Sequence, residues 1–247
     1  MSTLLIDLGN TRLKSAWLRD GRLQDMQAVV HHGQPLTYGL ESLLQHPPER
    51  VLINSMLGDA IRRSIQQRLD ELGIPGFWAS SQVQHGGLRN GYQLPERLGS
   101  DRWLAMIAAW QSHQGRPVCV VSCGTAVTID AIAADGQHQG GMILPGVQMM
   151  QHSLLQGTQQ INLDLQTQPL QLFARNTTQA VQSGCHFAIV GAIRQMLEGL
   201  VTDAEQTVQC VLTGGDAQAI AELLTWGEVE YRPQLVLEGL AIVGQNK

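Results

Sequence analysis

Short apolar runs near the start of the chain predict three neighbouring β-strands. Thr3–Asp7 is almost wholly apolar, and Thr11–Arg19 alternates apolar with polar positions, as a half-buried strand does. Leu23–Val30 follows Asp20-Gly21, and an Asp-Gly pair between two such runs is a strong hairpin signal. The pattern therefore predicts a meander whose first turn falls at Gly9-Asn10.

Farther along the chain, strand-like runs alternate with helix-like ones. A helix is predicted from Asp59, which could cap it, to a stop at Gly73, and the polar, glycine-rich stretch 80–99 predicts a long loop. The other predicted elements are strands at Val51–Asn54, Val118–Val121, Val127–Ala133, Gly140–Leu144 and Val208–Leu212, and helices at Asp101–Ser112, Thr177–Leu200, Ala217–Leu224 and Leu235–Val243. Such alternation is typical of layered α/β proteins.

Two of the strand–turn–strand units match each other. Asp7-Leu-Gly-Asn-Thr-Arg-Leu-Lys14 aligns with Ser122-Cys-Gly-Thr-Ala-Val-Thr-Ile129 at an offset of 115 residues, and the same offset places Asp20-Gly21 over Asp135-Gly136. Two units with their turn residues in one register indicate a duplicated fold. We therefore predict two similar lobes, residues 1–116 and 117–247.

Composition narrows the class of protein. The chain is 43% hydrophobic and 15% charged, and 16 basic residues against 21 acidic ones give a net charge of −5. Without a run of Lys and Arg, this balance argues against wide contact with nucleic acid or an anionic membrane. Polar residues interrupt the apolar stretch 118–134, so we expect no membrane span there. The start lacks a signal-peptide pattern, and the scattered cysteines are typical of reduced thiols, so we expect a cytoplasmic protein.

The first turn carries residues that suit phosphate. In Asp7–Lys14 (Asp-x-Gly-Asn-Thr-x-x-Lys), glycine lets the backbone approach an anion, and successive amides with the Thr11 hydroxyl can donate to phosphate oxygens. Lys14 adds a positive charge, and Asp7 could hold a hydrated Mg²⁺. A plain hairpin with a capping Asn is the alternative. The matching turn at Gly124-Thr125 favours phosphate, because two such turns on one cleft would grip a polyphosphate from both sides.

A second candidate site lies at the start of a predicted helix. In Gly99–Trp103 the helix N-terminus favours the carboxylate of Asp101, and Arg102 can bind a carboxylate or a phosphate. The alternative for Asp101 is an ordinary acid at a helix start. The glycine-rich turns Gly140–Gly146 and Leu212–Asp216 indicate either backbone contact with a ligand or tight packing. The sequence contains no Walker A or zinc-ligand pattern, so a nucleotide would bind at hairpin turns.

Six motifs, in their order along the chain, resemble those of the type III pantothenate kinases. They are Asp7-x-Gly-Asn-Thr-x-x-Lys14, Gly99-x-Asp-Arg-Trp103, Gly124-Thr-Ala-x-Thr128, Gly140-Gly-x-Ile-x-Pro-Gly146, Asn176-Thr177 and Leu212-Thr-Gly-Gly-Asp216. The resemblance covers nearly the whole chain, and the set is far more specific than any member. It implies an α/β fold of two duplicated ribonuclease H-like lobes, as in the actin, sugar kinase and acetate kinase superfamily. It also implies a cytoplasmic homodimer that phosphorylates pantothenate with ATP and Mg²⁺, the first step of coenzyme A biosynthesis.

The resemblance further implies roles for individual residues. Asp101 would be the catalytic base. ATP would bind at Asp7, Leu8, Gly9, Asn10, Thr11, Arg12, Leu13 and Lys14 in the first turn and at Thr125 in the second. Pantothenate would bind at Tyr92, Gly99, Ser100, Asp101, Arg102 and Thr177.

The chain departs from the family pattern at Ser122. Many members carry Asp there, which binds a monovalent cation such as K⁺ or NH₄⁺, whereas Ser is a neutral, weaker oxygen ligand. We therefore predict no protein metal ligand at position 122. Two other functions stay open: a kinase for another small alcohol or carboxylate, and a regulatory accessory factor of the same fold. Retention of both Asp7 and Asp101 favours catalysis, since a binding module needs no base.

Overall fold

The structure, a computed structural model, describes residues 2–31, 33–157, 168–201 and 207–245, apart from the side chains of Thr37 and Tyr38. The chain forms two compact units. One contains Met1–Ser112 and Gln234–Lys247, and the other contains His113–Pro233. Within the described ranges, no helix is both long enough and apolar enough to cross a membrane.

A five-stranded sheet forms the centre of the first unit. Its strands are β1 (Thr3–Leu8), β2 (Arg12–Arg19), β3 (Arg22–Val30), β4 (Arg50–Ser55) and β5 (Gly76–Trp78). They lie in the order β3-β2-β1-β4-β5, with β1 antiparallel to β2 and parallel to β4. Because β1 is the central strand and is buried along its whole length, it forms an almost continuous apolar run in the sequence. Two short strands, β6 (Gln84–His85) and β7 (Leu88–Arg89), pair separately.

The second unit repeats this sheet. Its strands are β8 (Val118–Cys123), β9 (Ala126–Ile132), β10 (His138–Pro145), β11 (Gln209–Thr213) and β12 (Glu228–Tyr231). Their order is β10-β9-β8-β11-β12, with β8 antiparallel to β9 and parallel to β11. Strand order and strand directions therefore match those of the first sheet, which confirms the duplicated α/β fold predicted from the repeat.

Helices complete both units. They are α1 (Glu41–Leu44), which continues a π-helical turn at Leu36–Leu40, α2 (Asp59–Glu71), α3 (Ser100–Ser112), α4 (Val147–Gly157), α5 (Thr177–Leu200), α6 (Ala217–Leu223) and α7 (Leu235–Gly244). In the second unit, α5 packs on β8 and β9 through apolar residues at helical spacing, among them Ile189, Ile193 and Leu197. This packing buries one face of the second sheet.

The end of the chain differs from the predicted lobes, because α7 lies in the first unit although the prediction assigned 117–247 to the second lobe. It packs on α3 so closely that a β-carbon at Gly239 would collide with the carbonyl oxygen of Leu104. Leu235, Leu237 and Leu240 are buried by this contact and by the first sheet. The change of unit earlier in the chain falls between Ser112 and His113, a few residues before the predicted boundary.

The two matching turns differ in length. In the first unit Asp7 pairs with Lys14 and Leu8 with Leu13. In the second unit Ser122 pairs with Thr128 and Cys123 with Val127, so the second turn is one residue shorter. The offset of 115 residues therefore does not hold along β2 and β9, and the predicted alignment of Lys14 with Ile129 is wrong. The residue that corresponds to Lys14 by strand pairing is Thr128.

Smaller differences concern the loops and caps. The predicted loop 80–99 contains the β6–β7 hairpin and a 3₁₀ turn at Pro95–Arg97. Asp59 is the first residue of α2 rather than its cap, which is Gly58. The sequence patterns did not predict α4 or β12, because α4 buries only Val147 and β12 has no buried residue.

Candidate active site

Asp7 lies near the end of β1 and is almost completely buried, with 8% of its surface exposed. The strand register places it between Lys14 on β2 and Asn54 on β4. Asn54 is fully buried, and its Nδ2 donates a hydrogen bond of 2.7 Å to Asp7 Oδ1. The sheet therefore sets an ammonium group, a carboxylate and an amide side by side on three adjacent strands.

The environment of Asp7 shifts its ionisation. Burial raises the pKa of Asp7 from 3.8 to about 6, although the hydrogen bond from Asn54 and the positive charge of Lys14 both lower the pKa. The negative charge of Asp101 raises the pKa further, so the two carboxylates lie close enough to interact. A bound cation would stabilise the ionised form of Asp7, because its positive charge offsets both the cost of burial and the repulsion from Asp101.

The N-terminus of α3 presents Asp101. Gly99 precedes the helix, and its carbonyl oxygen accepts a hydrogen bond of 3.0 Å from the amide of Trp103. Asp101 Oδ1 accepts a hydrogen bond of 2.8 Å from the amide of Arg102. A β-carbon at Gly99 would lie 2.8 Å from that same carboxylate oxygen, so a larger residue there would displace the Asp101 side chain. Gly99 therefore acts through its small size, which leaves room for the Asp101 side chain.

Ser100 connects this helix to Asp7. Its Oγ donates a hydrogen bond of 2.6 Å to Asn54 Oδ1, while the other end of the same amide donates to Asp7. The first and second sequence motifs, about ninety residues apart, thus meet in one hydrogen-bonded chain inside the first unit. Sequence motifs predicted Asp7 and Ser100 as site residues but did not include Asn54.

Arg102 and Tyr92 lie against each other beside Asp101. The guanidinium of Arg102 is buried and donates a hydrogen bond of 2.7 Å to the Tyr92 hydroxyl, and its central carbon lies 5.4 Å from the centre of the Tyr92 ring. Asn90 fixes the Tyr92 loop: its Oδ1 accepts from the Tyr92 amide, and its Nδ2 donates to the carbonyl oxygens of Gln82 and Pro95. The structure therefore brings the side chains of Tyr92 and Arg102 together next to Asp101 in the chain.

The first turn exposes only part of the predicted ATP-binding stretch. Asn10, Thr11 and Arg12 are exposed, whereas Leu8 and Leu13 are buried in the core. The Gly9 amide already donates to the carbonyl oxygen of Arg12 at 3.1 Å. Contacts of a phosphate at Leu8 or Leu13 would therefore have to use the backbone, and the Gly9 amide shapes the turn.

His31 also holds this turn. It is fully buried; its Nε2 lies 2.9 Å from the carbonyl oxygen of Gly9, and its Nδ1 accepts a hydrogen bond of 3.0 Å from the Gly33 amide. Because Nδ1 is an acceptor, the proton belongs on Nε2, which donates to Gly9. The His31 amide also donates to the carbonyl oxygen of Thr11. Neutral His31 thus fixes both sides of the turn.

The second turn owes its shape to close packing of backbone segments. The Gly124 amide donates to the carbonyl oxygen of Ala126, and the Gly146 amide donates to the carbonyl oxygen of Thr125. A β-carbon at Gly146 would collide with the backbone of Gly124, and one at Gly214 would collide with the backbone of Cys123. Of the two interpretations of these glycine-rich turns, tight packing explains both glycines. Thr125 is left exposed at the tip.

Thr177 lies elsewhere in the second unit, at the start of α5. Asn176 caps this helix, since its Oδ1 accepts a hydrogen bond of 2.9 Å from the amide of Gln179. Thr177 is exposed and lines a largely apolar cavity of about 880 Å³, whose walls include Met150, Leu154 and Arg175.

The donor set of the first unit fits a hydrated Mg²⁺. This ion keeps several waters and takes one or two carboxylates, and Asp7 offers one carboxylate with Asp101 nearby. No group of three or more His, Cys, Asp or Glu side chains in the described ranges could enclose a metal ion. The arrangement therefore suits a metal that arrives with a phosphate rather than one held by the protein alone.

The fold and the site define a class of protein. Two units of the same strand order, with a carboxylate at the end of the first strand, form a duplicated α/β fold that solved structures of proteins assigned as sugar kinases share. A solved structure of a protein from Sinorhizobium meliloti, assigned as a 2-dehydro-3-deoxygalactonokinase, covers 99% of this chain and 98% of its own with a TM-score of 0.60 at 11% identity. A protein from Campylobacter jejuni, assigned to the Baf family of transcriptional activators, covers 98% of both chains with a TM-score of 0.63 at 19% identity.

Sequence relatives identify the family. A family model of type III pantothenate kinases matches residues 3–199. A type III pantothenate kinase from Azoarcus sp. (strain BH72) is 38% identical over 243 residues, which are 97% of this chain and 89% of the relative. The chain therefore belongs to the type III pantothenate kinase family, which confirms the family predicted from the six motifs.

Proposed function

We propose that the chain transfers the γ-phosphate of ATP to the primary hydroxyl of pantothenate, giving 4′-phosphopantothenate in the first step of coenzyme A biosynthesis, in the cytoplasm. The observation that carries this proposal is the chain from Asp7 through Asn54 to Ser100, which places a phosphate-type turn and the Asp101 helix start in one site. A kinase needs both parts, since positioning and charge neutralisation dominate phosphoryl transfer.

The proposed nucleotide site lies in the first turn, Asp7–Lys14. Asn10, Thr11 and Arg12 are exposed and can meet phosphate oxygens, and Lys14 supplies a positive charge from β2. When bound, Mg²⁺ would neutralise charge on the transferred phosphate, and Asp7 would hold it. We propose that Thr125 also contacts ATP, as the resemblance implies.

Asp101 is the proposed base for the alcohol. The amide of Arg102 donates to its Oδ1 and fixes the carboxylate at the start of α3. A loose transition state needs little early deprotonation, so Asp101 would chiefly orient the hydroxyl and accept its proton late. Arg102 and Tyr92 would hold the rest of pantothenate, with Gly99, Ser100 and Thr177 as further contacts.

A homodimer is the proposed assembly. The second unit exposes large apolar side chains, and the most exposed among its described residues are Ile143, Leu172 and Phe173, with 64%, 71% and 83% of their surface accessible. Exposed apolar side chains that lie together often mark protein–protein interfaces, and we propose that these residues contribute to one. Light scattering of the purified protein should give the mass of a dimer, and Phe173→Asp should shift it towards the monomer. A monomeric wild type would contradict the proposal.

A coupled ADP-release assay tests the activity directly. We expect turnover with pantothenate and none above background with hexoses or acetate, and mass spectrometry should identify 4′-phosphopantothenate. Turnover restricted to a hexose or acetate would replace pantothenate with that acceptor. A regulatory accessory factor would show no turnover with any of the three acceptors.

A further inference from the structure

The orientation of the Asn54 amide is determined by its partners. An ionised carboxylate only accepts hydrogen bonds, so the group that faces Asp7 at 2.7 Å must be the amide nitrogen. The amide oxygen then faces Ser100 at 2.6 Å, and the Ser100 hydroxyl must donate to it. Asn54 is fully buried, so water does not reach either polar atom of its amide.

The second unit provides an internal comparison. Its position equivalent to Asp7 is Ser122, and the residue paired with Ser122 on β11 is Thr213, just as Asn54 on β4 pairs with Asp7. Where the duplicated sheet lacks the carboxylate, it also lacks the amide. Asn54 therefore accompanies the acid rather than the strand geometry, which both sheets share.

We propose that Asn54 is a positioning residue, which orients the Asp7 carboxylate for the metal-bound nucleotide and ties it through Ser100 to the helix start that carries Asp101. This link fixes the position of the Asp7 carboxylate relative to the helix start that carries Asp101. It rests on the proposed function only for the identity of the alcohol, because its effect on nucleotide binding is independent of the acceptor. Misplacement of a reacting group by about 1 Å costs on the order of 10²-fold in rate, so loss of this link should slow the reaction measurably.

Three variants separate the two bonds. Asn54→Asp keeps the shape and the acceptor for Ser100 but turns an acceptor towards Asp7. Ser100→Ala removes only the bond to the helix, and Asn54→Ala removes both. Equilibrium binding of Mg-ADP, measured by calorimetry, should weaken roughly 10- to 100-fold in both Asn54 variants and by less than about threefold in Ser100→Ala.

The link to Asp101 is tested by combining the substitutions. Ser100→Ala alone should lower kcat about tenfold, yet Asn54→Ala with Ser100→Ala should be no slower than Asn54→Ala, because both changes break one chain. Ser100 also belongs to the implied pantothenate site. If it acted only there, the two effects on kcat would multiply, and that result would overturn the proposal.

A matched control separates positioning from stability. Gln66 is an amide of the same unit whose Oε1 accepts a hydrogen bond of 2.7 Å from Trp78 Nε1. Gln66→Ala should lower the melting temperature without changing the Kd of Mg-ADP.

Wild-type Mg-ADP affinity in folded Asn54→Asp would overturn the proposal. Because this variant is isosteric, it tests the positioning role even if Asn54→Ala fails to fold. If Mg-ADP affinity depends on Asn54 but the wild type does not phosphorylate pantothenate, the proposed function alone is refuted.

Discussion

The two units share a scaffold but carry different side chains at three equivalent positions, two of which are charged only in the first unit. In the first unit the strand register sets Asp7 beside Lys14 and Asn54; in the second it sets Ser122 beside Thr128 and Thr213. Strand order and directions are identical. The comparison shows that the duplicated sheet provides the geometry, whereas the side chains at the strand ends decide which unit carries the buried carboxylate.

The turns differ in the same sense. The longer first turn exposes Asn10, Thr11 and Arg12 and is fixed by buried His31. The second turn is one residue shorter, exposes Thr125, and is held by backbone packing of Gly146. The first turn thus carries charged side chains and hydrogen-bond donors, whereas the second turn is compact and neutral.

The largest expected effect is that of removing the acid at the start of α3. Asp101→Asn keeps the shape of the side chain but cannot accept the proton of the alcohol. General-base contributions run at roughly 10²- to 10⁴-fold, so kcat should fall by this factor while Mg-ADP still binds. Steady-state assays and a melting curve check both points. A kcat within about twofold of wild type would remove Asp101 from the chemistry.

Asp7→Ser makes the first strand end resemble the second. Without the carboxylate, Mg-ATP should bind less well, and kcat/KM for Mg-ATP should fall by about 10²-fold, since electrostatic groups at reacting phosphates carry effects of this size. The KM for pantothenate should change little. Steady-state titration of both substrates checks the assignment. A change confined to the KM for pantothenate would contradict the assignment of Asp7 to Mg-ATP.

The raised pKa of Asp7 predicts a stability cost in the free protein. The folded-state pKa of about 6 exceeds the ordinary 3.8, so the folded state holds the proton more tightly than the unfolded chain does. The contribution of Asp7 to the free energy of unfolding is therefore full below pH 3.8 and is lost as the pH rises to about 6. Asp7→Asn lacks this loss, so at pH 8 and without Mg²⁺ it should be more stable by roughly 3 kcal/mol.

Chemical unfolding at pH 4 and pH 8 tests this prediction. The advantage of Asp7→Asn should be large at pH 8 and small at pH 4, because wild-type Asp7 is then mostly protonated. Equal stability of the two proteins at pH 8 would contradict the raised pKa. Activity should change in the opposite direction from stability, as expected where a site is kept at a cost in stability.

Sequence patterns predicted the parts of this comparison that depend on local order. Buried central strands such as β1 and β8 are apolar runs, and the two turns carry recognisable glycines. Asp7 and Asp101 were predicted because each belongs to a motif. Asn54 was not, because its role exists only through the register of β4 with β1 and the approach of Ser100.

The remaining differences have the same physical origin. The return of α7 to the first unit depends on the contact of Gly239 with Leu104, which no local pattern contains. The length of the second turn appears only when Ser122 is paired with Thr128. Long-range pairing, rather than local propensity, decides such features. Local patterns in a single sequence do not reveal that pairing.

A smaller effect is expected from restoring charge to the second unit. Ser122 is half-buried and flanked by the neutral Thr128 and Thr213, so it offers only a weak oxygen ligand. We expect wild-type rates in K⁺, NH₄⁺, Na⁺ and Tris buffers to agree within about twofold, and Ser122→Asp to favour K⁺ or NH₄⁺. Ser122→Asn, which adds an amide but no charge, is the control. A strict K⁺ requirement in the wild type would show that backbone carbonyls supply the cation site.

The smallest effect concerns packing at equivalent core positions. Ser15 pairs with Ile6 in the first sheet, and the equivalent pair in the second sheet is Val121 with Ile129. Ser15 is 1% exposed, and its Oγ has no hydrogen-bond partner among the residues that the structure describes. A buried hydroxyl without a partner costs about 1–3 kcal/mol, so Ser15→Ala should stabilise the protein by about 1 kcal/mol and raise the melting temperature by about 2–4 °C.

Ser183 is the matched control for Ser15. It is also buried, but its Oγ accepts a hydrogen bond of 3.0 Å from the amide of Gln171. Ser183→Ala leaves that amide without its partner and should lower the melting temperature, because the lost bond outweighs the loss of a hydroxyl. Opposite signs for the two substitutions would show that the first sheet carries an unmet polar group where the second has Ile129. A loss of stability in Ser15→Ala would mean that the Ser15 hydroxyl is satisfied in solution.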